Sequence, residues 1–166
     1  YDPPRDFSPV VNVGVIAASI VGAADQPANN LRELIEQARS KPDSVVWATW
    51  GSGSFSDLYR AWAENSFGVR FREVPYKTSE QAFNAVLRGE AQVLASLRTK
   101  IEDAKMPGTR MIEPPFMTVQ QAIGCAKAHT EAAQWLDGFV RAACASGFVA
   151  DRIRHHGVRG LQAARP

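Results

Sequence analysis

The sequence predicts an α/β fold in which a mainly parallel β-sheet carries helices on both faces. Segments rich in apolar and β-branched residues alternate along the chain with helical segments, and turn residues separate them. This alternation is typical of right-handed βαβ units, whose crossover helices bury the sheet. The 166 residues, of which 45% are hydrophobic, are enough to bury a core of ordinary size.

The first strand and helix are predicted from composition and capping signals. Val10–Ile20 is apolar and rich in β-branched residues, so it is predicted to be a buried strand. Asn30 is a typical helix N-cap with Glu33 three residues later, and an apolar stripe follows it. The sequence Lys41-Pro42-Asp43 ends that helix, because the residue before a proline disfavours helical geometry.

A glycine-rich turn joins the second strand to the second helix. Val45–Thr49 is predicted to be a short strand that runs into this turn. The helix begins at Ser54, with Asp57 at the capping-box position, and ends at Gly68.

The middle of the chain repeats the same alternation. Val69–Val74 is predicted to be a strand, and Ser79 is predicted to cap a helix that Gly89 closes. Gln92–Ser96 is the next predicted strand, followed by a helix that ends at Lys105.

Two strands and two helices are predicted for the remaining chain. The strands are Thr109–Ile112 and Phe116–Cys125, with two prolines between them, and the helices are Thr130–Ala145 and Phe148–His155. Parallel sheets bind ligands beyond the carboxyl ends of their strands, which here selects the junctions after Thr49, Val74 and Ala95.

Charge and cysteine content argue against several classes of function. The net charge of +2 is too small to indicate a nucleic-acid surface. Cys125 and Cys144 fit no Cys-x-x-Cys or zinc pattern, and their redox state stays open between a disulfide and free thiols. No apolar run reaches the ~18 residues that span a membrane. We expect no metal, no cofactor and no nucleic-acid partner.

The glycine-rich turn gives the strongest local signal for binding. Its glycines let a ligand approach the backbone, and the helix behind it offers unpaired N–H groups with a partial positive charge. A carboxylate or a single phosphate suits such a site, and an ordinary capped helix with nothing bound explains the pattern equally well. The candidate residues are Gly51, Ser52, Gly53, Ser54, Phe55 and Ser56, with hydroxyl donors at Ser52, Ser54 and Ser56.

Known catalytic and nucleotide-binding motifs do not fit this turn. It is not the Gly-x-Ser-x-Gly nucleophile elbow, it lacks the Gly-Lys-[Ser/Thr] of a phosphate loop, and it lacks the full dinucleotide fingerprint. No paired carboxylates or nucleophile–base arrangement is visible elsewhere, so we expect no enzymatic activity.

The other two junctions supply weaker candidates for ligand contacts. Tyr76 offers an aromatic wall, Lys77 a cation and Thr78 a hydroxyl, although a lysine beside a helix cap is usually only solvated. Ser96 and Arg98 follow the third of these strands, where an arginine is able to grip a carboxylate with two donors. An exposed arginine in a first helical turn is the more ordinary interpretation.

Several segments of the first half follow one another in a recognisable order. They are Tyr1–Val10, Leu31–Ile35, Lys41-Pro42, Gly51–Ser54 and Val74–Lys77. In these segments the chain resembles the receptors of tripartite tricarboxylate transporters, the Bug family of solute-binding proteins, and the resemblance covers roughly Tyr1–Gly89.

The second half is more similar to the family 3 solute-binding proteins of ABC importers, on the segments Leu87–Ala91, Phe116–Gly124 and Ala145–Val149. Both families share the two-lobed type II periplasmic-binding fold. The resemblance therefore implies a ligand-binding lobe over residues 1–115. It also implies that residues 116–166 form a return strand and terminal helices that belong to a second lobe. An absent segment or a second chain would supply the rest of that lobe.

The resemblance also implies a function and a site. In the Bug family the glycine turn and helix start hold a ligand carboxylate, which here corresponds to Gly51–Ser54 and Ser56. The position three beyond Ser54, commonly His in that family, is Asp57, and an acid there repels an anion unless it turns back to cap its own helix. At the end of the strand Gln92–Ser96, where that family usually has an acidic residue, this chain has Ser96.

We therefore expect a non-catalytic, periplasmic solute-binding protein for a small carboxylate or an amino acid, working with membrane transporter subunits. A ligand-sensing regulatory domain on the same fold is the alternative. The sequence does not name the solute, the transporter class or the oligomeric state.

Overall fold

The structure, a computed structural model, describes residues 2–165. The chain divides into two compact units. One is Ala18–Met117, and the other combines the residues up to Ala17 with those from Thr118 onward. The division expected between residues 115 and 116 lies within two residues of Met117, but the first 17 residues group with the C-terminal segment. None of the helices in the described part of the chain is long and apolar enough to cross a membrane.

Seven helices and six strands are described within these residues. The helices are α1 (Pro3–Asp6), α2 (Leu31–Ser40), α3 (Phe55–Phe67), α4 (Ser79–Leu87), α5 (Arg98–Asp103), α6 (Thr130–Ala145) and α7 (Phe148–His155). The strands are β1 (Phe7–Gly22), β2 (Val46–Thr49), β3 (Arg72–Pro75), β4 (Val93–Leu97), β5 (Arg110–Ala126) and β6 (Leu161–Ala163).

The helix caps explain why most boundaries agree with the sequence. The Asn30 side chain accepts a hydrogen bond from the Glu33 N–H at the start of α2. Gly68 ends α3 in the left-handed conformation, with φ of 63°. The cap of α4 is a correction, because Thr78 rather than Ser79 caps that helix.

The prediction of two separate strands near the prolines is wrong, because β5 runs without interruption from Arg110 to Ala126. Pro114 and Pro115 lack the N–H that a central strand would need. They are tolerated because β5 lies at the edge of the sheet, whose order is β3-β2-β4-β1-β5. The short strand β6 was not predicted; it pairs with β1 through Gly14–Ile16.

The sheet is mixed rather than wholly parallel. β2 pairs parallel with both β3 and β4, as the sequence predicts. β1 instead runs antiparallel to β4, with Ala18 opposite Leu97 and Gly22 opposite Val93. Alternating strands and helices do not reveal this direction, because a helix is able to connect strands of either orientation. The α/β class and the helices on both faces are confirmed.

Each face of the sheet in the unit Ala18–Met117 has its own apolar core. Trp47 lies on one face, packed with Leu34 of α2 and Ala63 of α3. Val46 lies on the other face with Ala82 of α4. Successive residues of a strand point to opposite faces, so β2 is buried on both sides. This arrangement fixes α3 and α4 against the sheet and brings their N-termini to the carboxyl ends of β2 and β3.

Candidate functional site

The turn after β2 has the backbone geometry that only glycine adopts easily. Gly51 and Gly53 have φ of 102° and 75°. A Cβ atom at either glycine would meet no atom within 4 Å, so the positive φ rather than crowding favours glycine. The Ser54 N–H donates to the Gly51 carbonyl oxygen at 3.1 Å, which closes the turn directly before α3.

Asp57 turns back onto the start of its own helix. Its carboxylate accepts a hydrogen bond from the Gly53 N–H at 2.8 Å, and its own N–H donates to the Ser54 Oγ at 3.3 Å. The bond from Gly53 is the main reason that the pKa of Asp57 is lowered, and Arg60 at 2.6 Å contributes further. The Asp57 carboxylate thus caps its own helix and pairs with Arg60. Under this condition its negative charge does not prevent an anion from binding beside it.

Two backbone donors remain at this helix end. The N–H groups of Gly53, Ser54 and Asp57 are already used. Within residues 2–165, the N–H groups of Phe55 and Ser56 have no acceptor. Both lie in the first turn of a 13-residue helix, where free N–H groups and the helix dipole favour an anion, but only Phe55 is partly exposed, so only its N–H is open to a ligand.

The hydroxyl of Ser56 is a structural group rather than a free donor, which corrects one expectation. Ser56 is fully buried. Its Oγ donates to the Ala48 carbonyl at 2.7 Å, accepts from Trp47 Nε1 at 2.9 Å and accepts from the Ala95 N–H at 3.2 Å. These bonds tie α3 to β2 and β4, and because the whole residue is buried, neither the hydroxyl nor the N–H of Ser56 is open to a ligand.

Arg60 stands behind the helix start among three carboxylates. It pairs with Asp57 at 2.6 Å, Glu64 at 2.7 Å and Glu73 at 3.0 Å, and its side chain is only 16% exposed. Thr49 donates to the other oxygen of Glu73 at 2.8 Å. This network fixes the first two turns of α3 against the ends of β2 and β3.

The junction after β3 differs from the expectation for its aromatic and cationic residues. Burial raises the pKa of Tyr76, with the Glu90 carboxylate adding to the shift, so its phenol lies near residues that follow the C-terminal end of α4. Lys77 is exposed, and its N–H donates to the Gln81 side chain at 3.1 Å. The Thr78 hydroxyl accepts from the Gln81 N–H as the helix cap.

The start of α4 already holds an internal carboxylate. The Glu80 carboxylate accepts a hydrogen bond from its own N–H, which is the main cause of its lowered pKa, and it also accepts from the Ser79 hydroxyl at 3.1 Å. The start of α4 is therefore less available to an external anion than the start of α3.

At the junction after β4, the two candidate residues Arg98 and Ser96 have different surroundings. The Arg98 guanidinium is paired with Glu102 at 2.9 Å and with Glu113 at 2.8 Å, so it is not a free clamp for a ligand carboxylate. Ser96 is only 5% exposed. Its hydroxyl has no hydrogen-bond partner among the described residues and is not fully enclosed, so it is free to bond to water or to a ligand.

One pocket of about 560 Å³ joins these features. Its wall includes Trp50 and Phe55 from the glycine turn and the start of α3, Ser79 from the start of α4, and Ser96 from the end of β4. All of them belong to the unit Ala18–Met117. As far as the described residues form it, the wall includes Phe55 and Ser96 but none of the other predicted site residues, which are Gly51, Ser52, Gly53, Ser54, Ser56, Tyr76, Lys77, Thr78 and Arg98.

Several residues of the pocket wall were not predicted from the sequence. Ser79, Phe83, Asn84, Leu87 and Lys100 line the pocket. Phe83 and Leu87 lie four residues apart on α4, and helical spacing alone does not separate residues that face the core from residues at the rim of a pocket. Across residues 2–165, no group of three His, Cys, Asp or Glu side chains is arranged to hold a metal ion.

The chain is similar in sequence to a UPF0065 protein from the gbd 5′ region of Cupriavidus necator. The two are 30% identical over 98 residues, which are 57% of this chain and 29% of the length of that protein. The matched part is thus less than a third of the relative.

Solved structures with the same fold include proteins determined with bound small molecules. A Rhodopseudomonas palustris protein determined with adipate superimposes with a TM-score of 0.72 at 18% identity, covering 98% of this chain and 62% of that one. A periplasmic binding protein of an ABC transporter from Brucella ovis, determined with glutathione, gives 0.65 at 9% identity, covering 92% of this chain and 45% of that one. These likenesses establish the fold that the resemblance implies.

The match to a family is more specific than the match in fold. The family model described as tripartite tricarboxylate transporter family receptor matches residues 1–108, which include the glycine turn, both helix starts and Ser96. The resemblance noted over Tyr1–Gly89 is confirmed by this match. Because it covers well over half of the residues, the chain belongs to the tripartite tricarboxylate transporter receptor family.

Proposed function

We propose that this chain is the part of a solute-binding receptor that holds the carboxylate of a small solute at the start of α3, without catalysis. The observation that carries the proposal is the unused N–H group of Phe55 at the start of α3, together with the unpartnered hydroxyl of Ser96. Phe55 and Ser96 line the same pocket. A carboxylate has two oxygens that accept hydrogen bonds, which matches this set of donors.

The physical setting favours a carboxylate over water at this position. Hydrogen bonds from N–H groups to an ionised acceptor are about twice as strong as those between neutral groups. The dipole of α3 adds a favourable field that is strongest at its first turn. Trp50 and Phe55 exclude water from one side of the pocket, which strengthens both contributions.

The relatives support the role of the whole receptor. The Rhodopseudomonas protein of the same fold was determined with adipate, a dicarboxylate, and the family takes its name from tricarboxylate transport. We propose a periplasmic location and a transporter in the membrane as the partner. We also propose that residues 116–166 complete the second lobe of the two-lobed fold, since the chain spans 62% of that relative's length.

Replacement of Phe55 by proline tests the proposed contact at a single backbone atom. Phe55 is the first residue of α3, where proline fits the helix and removes the N–H without breaking a backbone hydrogen bond of the helix. Ser54 before it already has φ of −65° and ψ of 158°, which a following proline permits. We expect Phe55→Pro to weaken carboxylate binding roughly tenfold or more, because a hydrogen bond to a charged group is lost.

The matched control is Phe55→Ala. It removes the same ring, and with it the contact to Tyr59 at 4.4 Å, but keeps the N–H. Binding measured by NMR titration with hexanoate should therefore fall further in the proline variant than in the alanine variant. Equal affinities of the two variants would show that the Phe55 N–H does not contact the carboxylate.

A further inference from the structure

Beyond the donors at the start of α3, the pocket continues as a groove between α4 and α5. Phe83 and Leu87 form its α4 side, and Leu97 and Met106 lie at the two ends of the α5 side. Phe83 and Met106 also pack against the apolar core on that face of the sheet, so they are held in place. The groove is therefore a fixed apolar surface that begins where a bound carboxylate would lie.

The charged groups along the groove do not suit a second anion. Glu80 and Asp103 line it with carboxylates, and Lys100 lines it with one cation. The attraction between Lys100 and Glu80 contributes to the lowered pKa of Glu80, so this cation already has an anionic neighbour. Arg98 beside the groove is paired with Glu102 and Glu113. A second carboxylate on the solute would face two acidic side chains and lose its hydration.

We propose that the solute of this chain is an amphipathic carboxylate with one anionic end and an apolar tail, which lies in the groove between α4 and α5. This inference rests on the proposed carboxylate site and specifies what extends from it. An alkyl or aromatic tail buries the exposed side of Leu87, which is 39% exposed without it. The volume of about 560 Å³ is ample for a tail of six to eight carbons, roughly the lower range of small-molecule pockets.

A matched pair of ligands tests the proposal on the whole chain. Hexanoate and adipate have the same number of carbons and differ in the second carboxylate. In NMR titrations at neutral pH we expect hexanoate to bind at least tenfold more tightly than adipate. In the series from butanoate to octanoate, affinity should rise about threefold for each methylene, since each buried methylene is removed from water.

A variant of the groove provides a second readout. Leu87→Ser shortens the apolar wall at the end of α4. Because the Leu87 side chain is partly exposed, we expect this variant to fold stably. It should reduce the gain from butanoate to octanoate several-fold and leave butanoate binding nearly unchanged. Leu58→Ser is the control, because Leu58 is 59% exposed on α3 and does not line the pocket within the described residues.

The outcomes separate this inference from the carboxylate site itself. Adipate binding as tightly as hexanoate, or affinities that do not change with chain length, would overturn the proposed tail while leaving the site at α3 intact. If neither ligand binds, or if Phe55→Pro and Phe55→Ala bind hexanoate equally, the carboxylate site fails and the inference falls with it.

Discussion

Ser56→Ala should lower the free energy of unfolding by about 3 kcal/mol, because it leaves two buried donors without an acceptor. In the structure the Trp47 Nε1–H and the Ala95 N–H both donate to the Ser56 hydroxyl, and that hydroxyl donates to the Ala48 carbonyl. Ser56 is fully buried, so water does not replace the lost hydroxyl. Urea unfolding followed by tryptophan fluorescence measures the change.

Ser54→Ala is the matched control for this change two residues away. It removes one capping hydrogen bond, from the Asp57 N–H, at a partly exposed position, and should cost only about 1 kcal/mol. If Ser56→Ala cost no more than Ser54→Ala, the hydroxyl of Ser56 would not join the helix to the sheet as described.

Arg60→Ala should destabilise the chain by about 2 kcal/mol, since removing the cation of a partly buried ion network leaves three carboxylates unpaired. Asp57, Glu64 and Glu73 would lose their shared cation, which is only 16% exposed. Arg88→Ala is the control, because its ion pair with Glu90 is exposed to solvent and should contribute little to stability. Similar losses in both variants would contradict the described network.

The deficit of Arg60→Ala should also depend on pH. The pKa of Asp57 in the folded protein lies below its ordinary value of 3.8, so its contribution to stability is present above that pH and is lost as pH falls further. Protonated carboxylates no longer need the arginine. The difference in stability between the parent and Arg60→Ala should therefore shrink below about pH 4.

The sequence was most informative where structure is decided locally. The caps at Asn30 and Ser54 depend on residues three positions away, and both form as predicted. At α4 the signal was also present, since Thr78 has Gln81 three residues later and therefore makes the better capping box than Ser79. The predicted cap was wrong by one residue because Thr78 and Ser79 both carry a hydroxyl group that is able to cap a helix.

The features that were missed depend on contacts between distant segments. The hydroxyl of Ser56 is held by Trp47 and Ala95, which lie on two different strands, so its role follows only from the order of the sheet. Arg98 is a candidate clamp for a ligand carboxylate in the sequence, but in the structure its guanidinium pairs with Glu113 of β5. The direction of β1 likewise depends on which strand it pairs with, and no local pattern encodes that choice.

The central claim is that a carboxylate binds to the N–H group of Phe55. A titration of the ¹⁵N-labelled chain with hexanoate, followed through the amide signals, tests it most directly. We expect the Phe55 amide proton to move downfield in a saturable way, while Gly53, whose N–H already donates to Asp57, moves much less. Saturable binding that leaves the Phe55 signal unmoved would contradict the claim.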